Sequence, residues 1–378
     1  MNIDDIIQKD NLSRDEIAFL LSLSDKGDIQ KLYERAYEIK CEQVSNKVFL
    51  RGIVELSNIC IKDCNYCGIR KSNENVERFQ MDKDEIVNSA VWAYKNNYGS
   101  AVLQSGERSD TAFVDFIEDV LKTIKEKTDN KLGITISLGE QTLQTYQRWF
   151  EAGAHRYLLR IETSSPELYK KLHPPQCSFD ERVACLGYLR EAGYQVGTGV
   201  MIGLPGQTAF DLADDVLFFK EHDIDMIGMG PFIPHHETPM ADFAENYDNE
   251  SQLELGLKMV AVTRIVMKDV NIAAATALQA LKYDGREMGL KAGANIIMPN
   301  VSDTKYRESY QLYDNKPCLD ENSSQCRSCL TNRVINTGET IGFDEWGDSP
   351  HFKVVRASRL KKESSSSVSL EQNKLNDS

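Results

Sequence analysis

The chain lacks any apolar run approaching the roughly 20 residues that a membrane-spanning helix requires. Its first residues, MNIDDIIQKD, hold neither the basic leader nor the apolar stretch of an export signal. No membrane partner is expected, and a cytoplasmic location is. Cationic surplus is missing too: 44 basic residues face 58 acidic ones, a net charge of -14. A nucleic-acid partner is therefore not expected, because phosphate backbones are bound by cationic surface. Also absent is the GxGxxG fingerprint that follows the first strand of a dinucleotide-binding sheet. His155, His235 and His236 fall in no metal-ligand pattern and are expected on the surface or in loops.

What the chain does have is nine cysteines, which in a chain expected to stay in the cytoplasm point to metal or redox chemistry rather than disulfides. Six form two triplets, Cys60, Cys64, Cys67 and Cys318, Cys326, Cys329, while Cys41, Cys177 and Cys185 are expected to be buried, inert thiols. The first triplet is a CxxxCxxC loop with Tyr66 beside its last cysteine. Thiolates are soft ligands suited to iron-sulfur clusters, and a cubane held by three of them keeps one iron open. A zinc knuckle is the alternative, but zinc takes four ligands in a closed tetrahedron and no fourth Cys or His lies near. The loop resembles that of the radical S-adenosylmethionine (SAM) superfamily. In that superfamily SAM chelates the open iron of a [4Fe-4S] cluster, and an electron from the cluster cleaves SAM to a 5′-deoxyadenosyl radical.

Around this loop, strand and helix patterns alternate. Residues 1–46 read as a helical layer, with Ser13 and Glu16 forming a capping box. From Val48 the pattern becomes FLRGIVEL, a strand whose end delivers the cysteine loop. Seven further strands follow, at Ala101 to Gln104, LGITISL, RYLLRI, YQVGTGVMIGL, DMIGMGP, NIAAAT and ANIIMP, each separated from the next by a helical pattern. Eight such repeats over about 250 residues predict an α/β fold, a complete (β/α)8 TIM barrel with its active site at the strand ends. The expected domains are the helical layer, a barrel over 47–300, a C-terminal extension over 301–360 with the second triplet, and a serine-rich disordered tail over 361–378. GLPGQT (203–208) lacks the lysine of a phosphate loop and reads as a strand-to-helix turn.

The strand ends carry chemistry. Strand two ends in Gln104, Ser105, Gly106 and Glu107, and strand three carries Thr135. Strand four places Arg156, Arg160 and Glu162 on one face, where two guanidinium forks suit an anion or an internal ion-pair network. Strands six to eight add Met226, Pro231, Ile233, Thr276 and Met298, an apolar lining that would shield a radical.

The motifs LQSGE (103–107), SLGE (137–140), RYLLRIET (156–163), MIGLPGQT (201–208), HDIDMIGMGPFIPH (222–235), IIMPN (296–300) and YQLY (310–313) resemble the HydE family, radical SAM maturases of [FeFe]-hydrogenase. The resemblance implies cluster ligation by Cys60, Cys64 and Cys67, with Tyr66 near the adenine. It places Ser105, Gly106 and Glu107 at the SAM amino group, Glu162 at the ribose and Arg182 at the methionyl carboxylate. It implies a substrate cavity lined by Gln104, Thr135, Arg156, Arg160, Met226, Pro231, Ile233, Thr276, Met298, Tyr310 and Tyr313, with Ala275 where relatives have a second threonine. Cys318, Cys326 and Cys329 would mark an auxiliary-cluster site. The implied substrate is a small anionic iron complex carrying cysteine, carbonyl and cyanide, received from HydG and passed on toward HydF, with an electron donor as a further partner. A methylornithine synthase-type mutase, a biotin synthase and a nonenzymatic iron-sulfur carrier are the other readings.

Overall fold

Strand β1 (Lys47–Ser57) begins a sequence of parallel strands in the computed structural model, which describes residues 1–320 and 322–354 apart from the side chains of 246 and 324–326. The segment 361–378, expected to be disordered, lies outside the described residues, as does the end of the expected extension. The other strands are β2 (Ser100–Ser105), β3 (Gly133–Ser137), β4 (Arg156–Leu158), β5 (Gln195–Thr198), β6 (Met201–Ile202), β7 (Met226–Ile227), β8 (Gly230–Pro231), β9 (Asn271–Ile272), β10 (Ile296–Ile297) and β11 (Thr340–Ile341). The main sheet runs β10-β1-β2-β3-β4-β5-β7-β9, every pairing parallel. β6 and β8 pair in a short second sheet that prolongs β5 and β7 toward the strand ends.

The predicted parallel α/β architecture is thus present. A complete barrel is a further step: the two ends of the sheet are joined by one isolated bridge, Ala273 to Ile296, rather than by a continuous ladder. Two hydrogen bonds of 2.9 Å flank it, Asn295 N to the Ile272 carbonyl and Ala274 N to the Ile296 carbonyl.

Apolar periodicity explains the outer layer. Helix Thr111–Lys127 buries Phe113, Val114, Ile117, Val120, Leu121 and Ile124 along one face. Capping boxes start helices Arg14–Leu21, Lys83–Lys95 and Ala209–Glu221 through Ser13 with Glu16, Asp82 with Glu85 and Thr208 with Asp211. GLPGQT is the turn expected. Gly203 and Gly206 take φ of 77° and 80°, and Gln207 Oε1 accepts from Gly203 N and Leu204 N.

The chain after β10 is built onto the sheet. β11 pairs with the start of β1, and residues 346–351 cross beneath the strand beginnings as a strap. Five strands hold it: Arg51 Nη2 and Asn271 Nδ2 donate to the Gly347 carbonyl, Ser100 Oγ to the Trp346 carbonyl, Arg156 Nη1 to Asp348, and Gln195 Oε1 accepts from Ser349 N. His351 bridges Asp269 and Asp223, at 3.1 and 2.8 Å.

Candidate active site

The cysteine loop leaves the C-terminal end of β1 and is fixed by polar side chains of its own. Arg78 donates to the carbonyls of Asn58, Ile69, Arg70 and Asn73. Asp63 Oδ1 accepts from Arg70 Nε, Ser72 N and Ser72 Oγ. The loop rests on the end of β2 because Gly106 has no side chain: a Cβ there would meet the Ile59 carbonyl oxygen at 2.4 Å and Cys60 Cβ at 2.8 Å. Glu107 N then donates to Cys60 Sγ at 3.3 Å. Gly68 is as crowded, its missing Cβ lying 2.2 Å from the Gln311 carbonyl oxygen.

Burial raises the pKa of all three loop thiols. Cys67 is pushed up to about 12, burial first and Cys60 second, and Cys64 rises through burial and then the charges of Cys67 and Cys60. Among the described residues the three sulfurs do not converge within 4.8 Å of one another. As a set they are spaced more widely than the ligands of a single ion, which suits a multi-iron cluster. Such ligands bind as thiolates, so loading must drive off their protons.

Beside the loop four charges form a closed square. Lys62 Nζ lies 2.7 Å from Glu140 Oε2 and 3.2 Å from Glu107 Oε1. Arg182 pairs with Glu140 through Nε and stands 3.6 Å from Glu107 through Nη2. Burial raises the Glu107 pKa against the pull of Arg182, whereas at Glu140 Arg182 and Lys62 outweigh burial and hold the carboxyl low. Sequence alone does not single out Lys62, and it shows Glu140 only as the end of SLGE. The signal available was Lys62's place between two ligand cysteines.

Glu162 sits nearby at φ 64°, a left-handed backbone rarely taken by glutamate, held by Glu162 N to the Gly199 carbonyl and Met201 N to the Glu162 carbonyl. Its Oε2 is 2.9 Å from Arg160 Nη2 but makes no aligned hydrogen bond. Tyr66 packs edge-on to His173, centroids 5.6 Å apart, against the small apolar cluster of Leu172, Met201, Leu204, Phe232 and Met240. The buried hydroxyl of Tyr169 has no hydrogen-bond partner among the described residues.

The expected substrate residues divide. Gln104 Nε2 meets Tyr310 Oη at 3.3 Å, and Arg160 keeps a buried Nε without a partner. Thr276 and Met298 line a cavity of about 40 Å³ with Glu55, Arg286, Lys316 and Cys318. Tyr313 lies among the charges of Glu55, Arg286 and Arg160, its phenol held well above the ordinary range chiefly by burial. Other expectations need correction. Arg156 is wholly buried at the floor, donating to Thr135 Oγ1, Asp348, the Trp346 carbonyl and Ser100, so its guanidinium is engaged by the protein, while Arg160 lies 2.9 Å from Glu162. Met226 is also a floor residue, its sulfur accepting from Arg51 Nη1 at 3.1 Å. Pro231 turns outward toward helix Asn249–Met267, where a Cβ at Gly256 would meet its Cγ at 2.9 Å. Ile233 borders a different cavity, of about 220 Å³, with Asp314.

Of the remaining cysteines, Cys41 is exposed and Cys177 half-buried, so among the three expected buried thiols Cys185 alone is buried. Nor is His235 a surface residue: it is buried, its ring edge packed on Gly68. Cys318 Sγ accepts from Arg286 Nη2 and Gln279 Nε2 at 3.8 and 3.9 Å, and Cys329 lies on helix Ser323–Asn336. The side chain of Cys326 lies outside the described residues.

Comparison with known proteins fits this geometry. The Radical SAM superfamily matches residues 54–219, from β1 through helix Ala209–Glu221. The [FeFe] hydrogenase maturase subunit HydE of Thermotoga maritima is 44% identical over 350 residues, 92% of this chain and 97% of that protein. The chain belongs to the HydE family of radical SAM enzymes. A 3-methylornithine synthase of Methanosarcina acetivorans is 28% identical over 93% of this chain and 95% of its own. The crystal structure of methylornithine synthase (PylB) matches at a TM-score of 0.77 and 25% identity, covering 90% of this chain and 97% of that one. Membership in this HydE family implies a [4Fe-4S] cluster and SAM, and the spaced thiols beside a buried square of charges fit both.

Proposed function

We propose that the protein is a maturase of [FeFe]-hydrogenase, acting on a small anionic iron complex that carries cysteine, carbonyl and cyanide ligands, on the way to the di-iron subcluster. The observation that carries this reading is the 44% identity maintained across 97% of a HydE protein. Cys60, Cys64 and Cys67 would hold the cluster, with Tyr66 at the adenine, Ser105, Gly106 and Glu107 at the amino group, Glu162 at the ribose and Arg182 at the carboxylate. Bound together, cluster and SAM supply one electron and a carbon-centred radical.

The residues of the chain hold and orient. Glu162 offers its unaligned carboxylate oxygen to a sugar hydroxyl. Arg160 offers its unpartnered Nε to the anionic substrate, with Gln104, Thr276, Tyr310 and Tyr313 as further polar contacts and Met298 as apolar wall. Arg156 and Thr135 act from below by keeping the floor charged and closed. We read the Ala273 to Ile296 bridge as the seam of a complete (β/α)8 barrel, with 1–46 and the extension from 301 as layers around it. HydG would supply the substrate, HydF receive the product, and an electron donor reduce the cluster, all in the cytoplasm. Cys318, Cys326 and Cys329 would hold an auxiliary cluster away from the radical.

The test is anaerobic reconstitution, reduction, addition of SAM and chromatography for 5′-deoxyadenosine, followed by activation of an apo-hydrogenase together with HydG and HydF. Formation of 5′-deoxyadenosine that depends on Cys64, with hydrogenase activation, is the expected result. 5′-Deoxyadenosine accompanied by 3-methylornithine would instead favour the synthase that the 28% relative represents. A reducible cluster that binds no SAM would leave only a carrier.

A further inference from the structure

The square of Lys62, Glu107, Glu140 and Arg182 carries two positive and two negative charges, and each carboxylate faces both cations. All four side chains are at most 19% exposed. Charges so enclosed require partners, and a ligand entering among them must bring a charge for each one it displaces. The Arg182 fork is already engaged, Nε by Glu140 and Nη1 by the Arg160 carbonyl. Lys62 is pinned between the two carboxylates, while Tyr169 brings an unpartnered hydroxyl to the same group of charges. The free amino-acid end of SAM carries one ammonium and one carboxylate, the two charges that this square can exchange.

We infer that Lys62 is a second cation for the SAM carboxylate, beside Arg182, and that Glu140 occupies the carboxylate's place until SAM arrives. Glu140 can yield because it follows Gly139, at φ 81°, in the loop after β3. SAM binding then exchanges one carboxylate for another on the same two cations. The inference rests on the SAM-binding reading above and adds to it a role for a residue inside the cysteine loop, so that cluster ligation and SAM recognition share one segment.

The full-length protein with its cluster reconstituted, and the variants Lys62→Met, Lys62→Arg and Glu140→Gln at matched iron content, are compared by anaerobic equilibrium dialysis. The ligands are SAM and 5′-methylthioadenosine, which has the same nucleoside and no amino-acid end. Lys62→Met is expected to raise the SAM Kd about tenfold while leaving 5′-methylthioadenosine unchanged, as loss of one charge-assisted hydrogen bond requires. Lys62→Arg restores SAM binding to within about threefold, since it retains the charge, and Glu140→Gln tightens it. Lys62→Met binding SAM like the parent, or losing both ligands equally, overturns the inference, as does weaker SAM binding by Glu140→Gln. A parent that binds no SAM overturns the radical SAM reading itself, and this inference with it.

Discussion

At Gly106 a single methyl group decides whether the cluster loop can close. Its Cβ would enter the space of the Ile59 carbonyl oxygen, and backbone cannot yield as a flexible side chain does. Gly106→Ala should therefore lower the iron retained per chain after reconstitution and weaken the visible absorbance of the cluster. Far-ultraviolet circular dichroism should stay that of the parent, since the strands do not depend on the loop. The loop thiols make a second prediction. Their pKa values are raised in the folded state, so the stability they contribute is present below the unfolded thiol value of about 8.5 and is lost as pH rises, for Cys67 through about 12. Urea unfolding of the metal-free protein should show stability falling above about pH 9, and the reconstituted protein should not show that slope. These thiols were legible from the sequence because ligand spacing is local. Lys62 was not, because its meaning depends on Glu107, Glu140 and Arg182, which reach it from three other segments.

The element that sequence reading missed is the strap at residues 346–351. Nothing in WGDSPH marks it locally, since its partners lie far away along the chain: Arg156 and Asp348 are 192 positions apart and Arg51 and Gly347 are 296 apart. The same distance along the chain hides the partners of Arg156. Alternation on a strand tells which face a side chain takes but not what waits at each end of the strands. By contrast, the βα rhythm was legible because period and capping are written within each segment. Asp348→Asn leaves the buried Arg156 without its carboxylate and should lower unfolding free energy by roughly 3 kcal/mol, most of it recovered when Arg156→Met removes the charge as well. His351 gives the strap a pH dependence. Its pKa is raised to about 9, by the hydrogen bond to Asp269 and then that to Asp223. Its contribution is fully present below about pH 6.5 and lost as pH rises through 9. The parent's thermal midpoint should fall across that window more than that of His351→Gln.

On the scale of the whole molecule, cluster and SAM bind to surfaces that only the folded chain assembles, so both should stabilise it by mass action. At one hundred times its Kd, SAM should add about 2.7 kcal/mol to the reconstituted protein, read as a higher midpoint in differential scanning calorimetry. A cluster-free sample should gain less, because the metal half of the SAM site is missing. The strap carries a consequence for how this molecule is made. Its five strand partners are translated long before it, so a nascent chain on the ribosome holds Arg51 and Arg156 at an unfinished floor until residues 346–351 have been made. Closure of that floor therefore waits for residues 346–351, and a ribosome stalled before Trp346 should present a chain that chaperones retain.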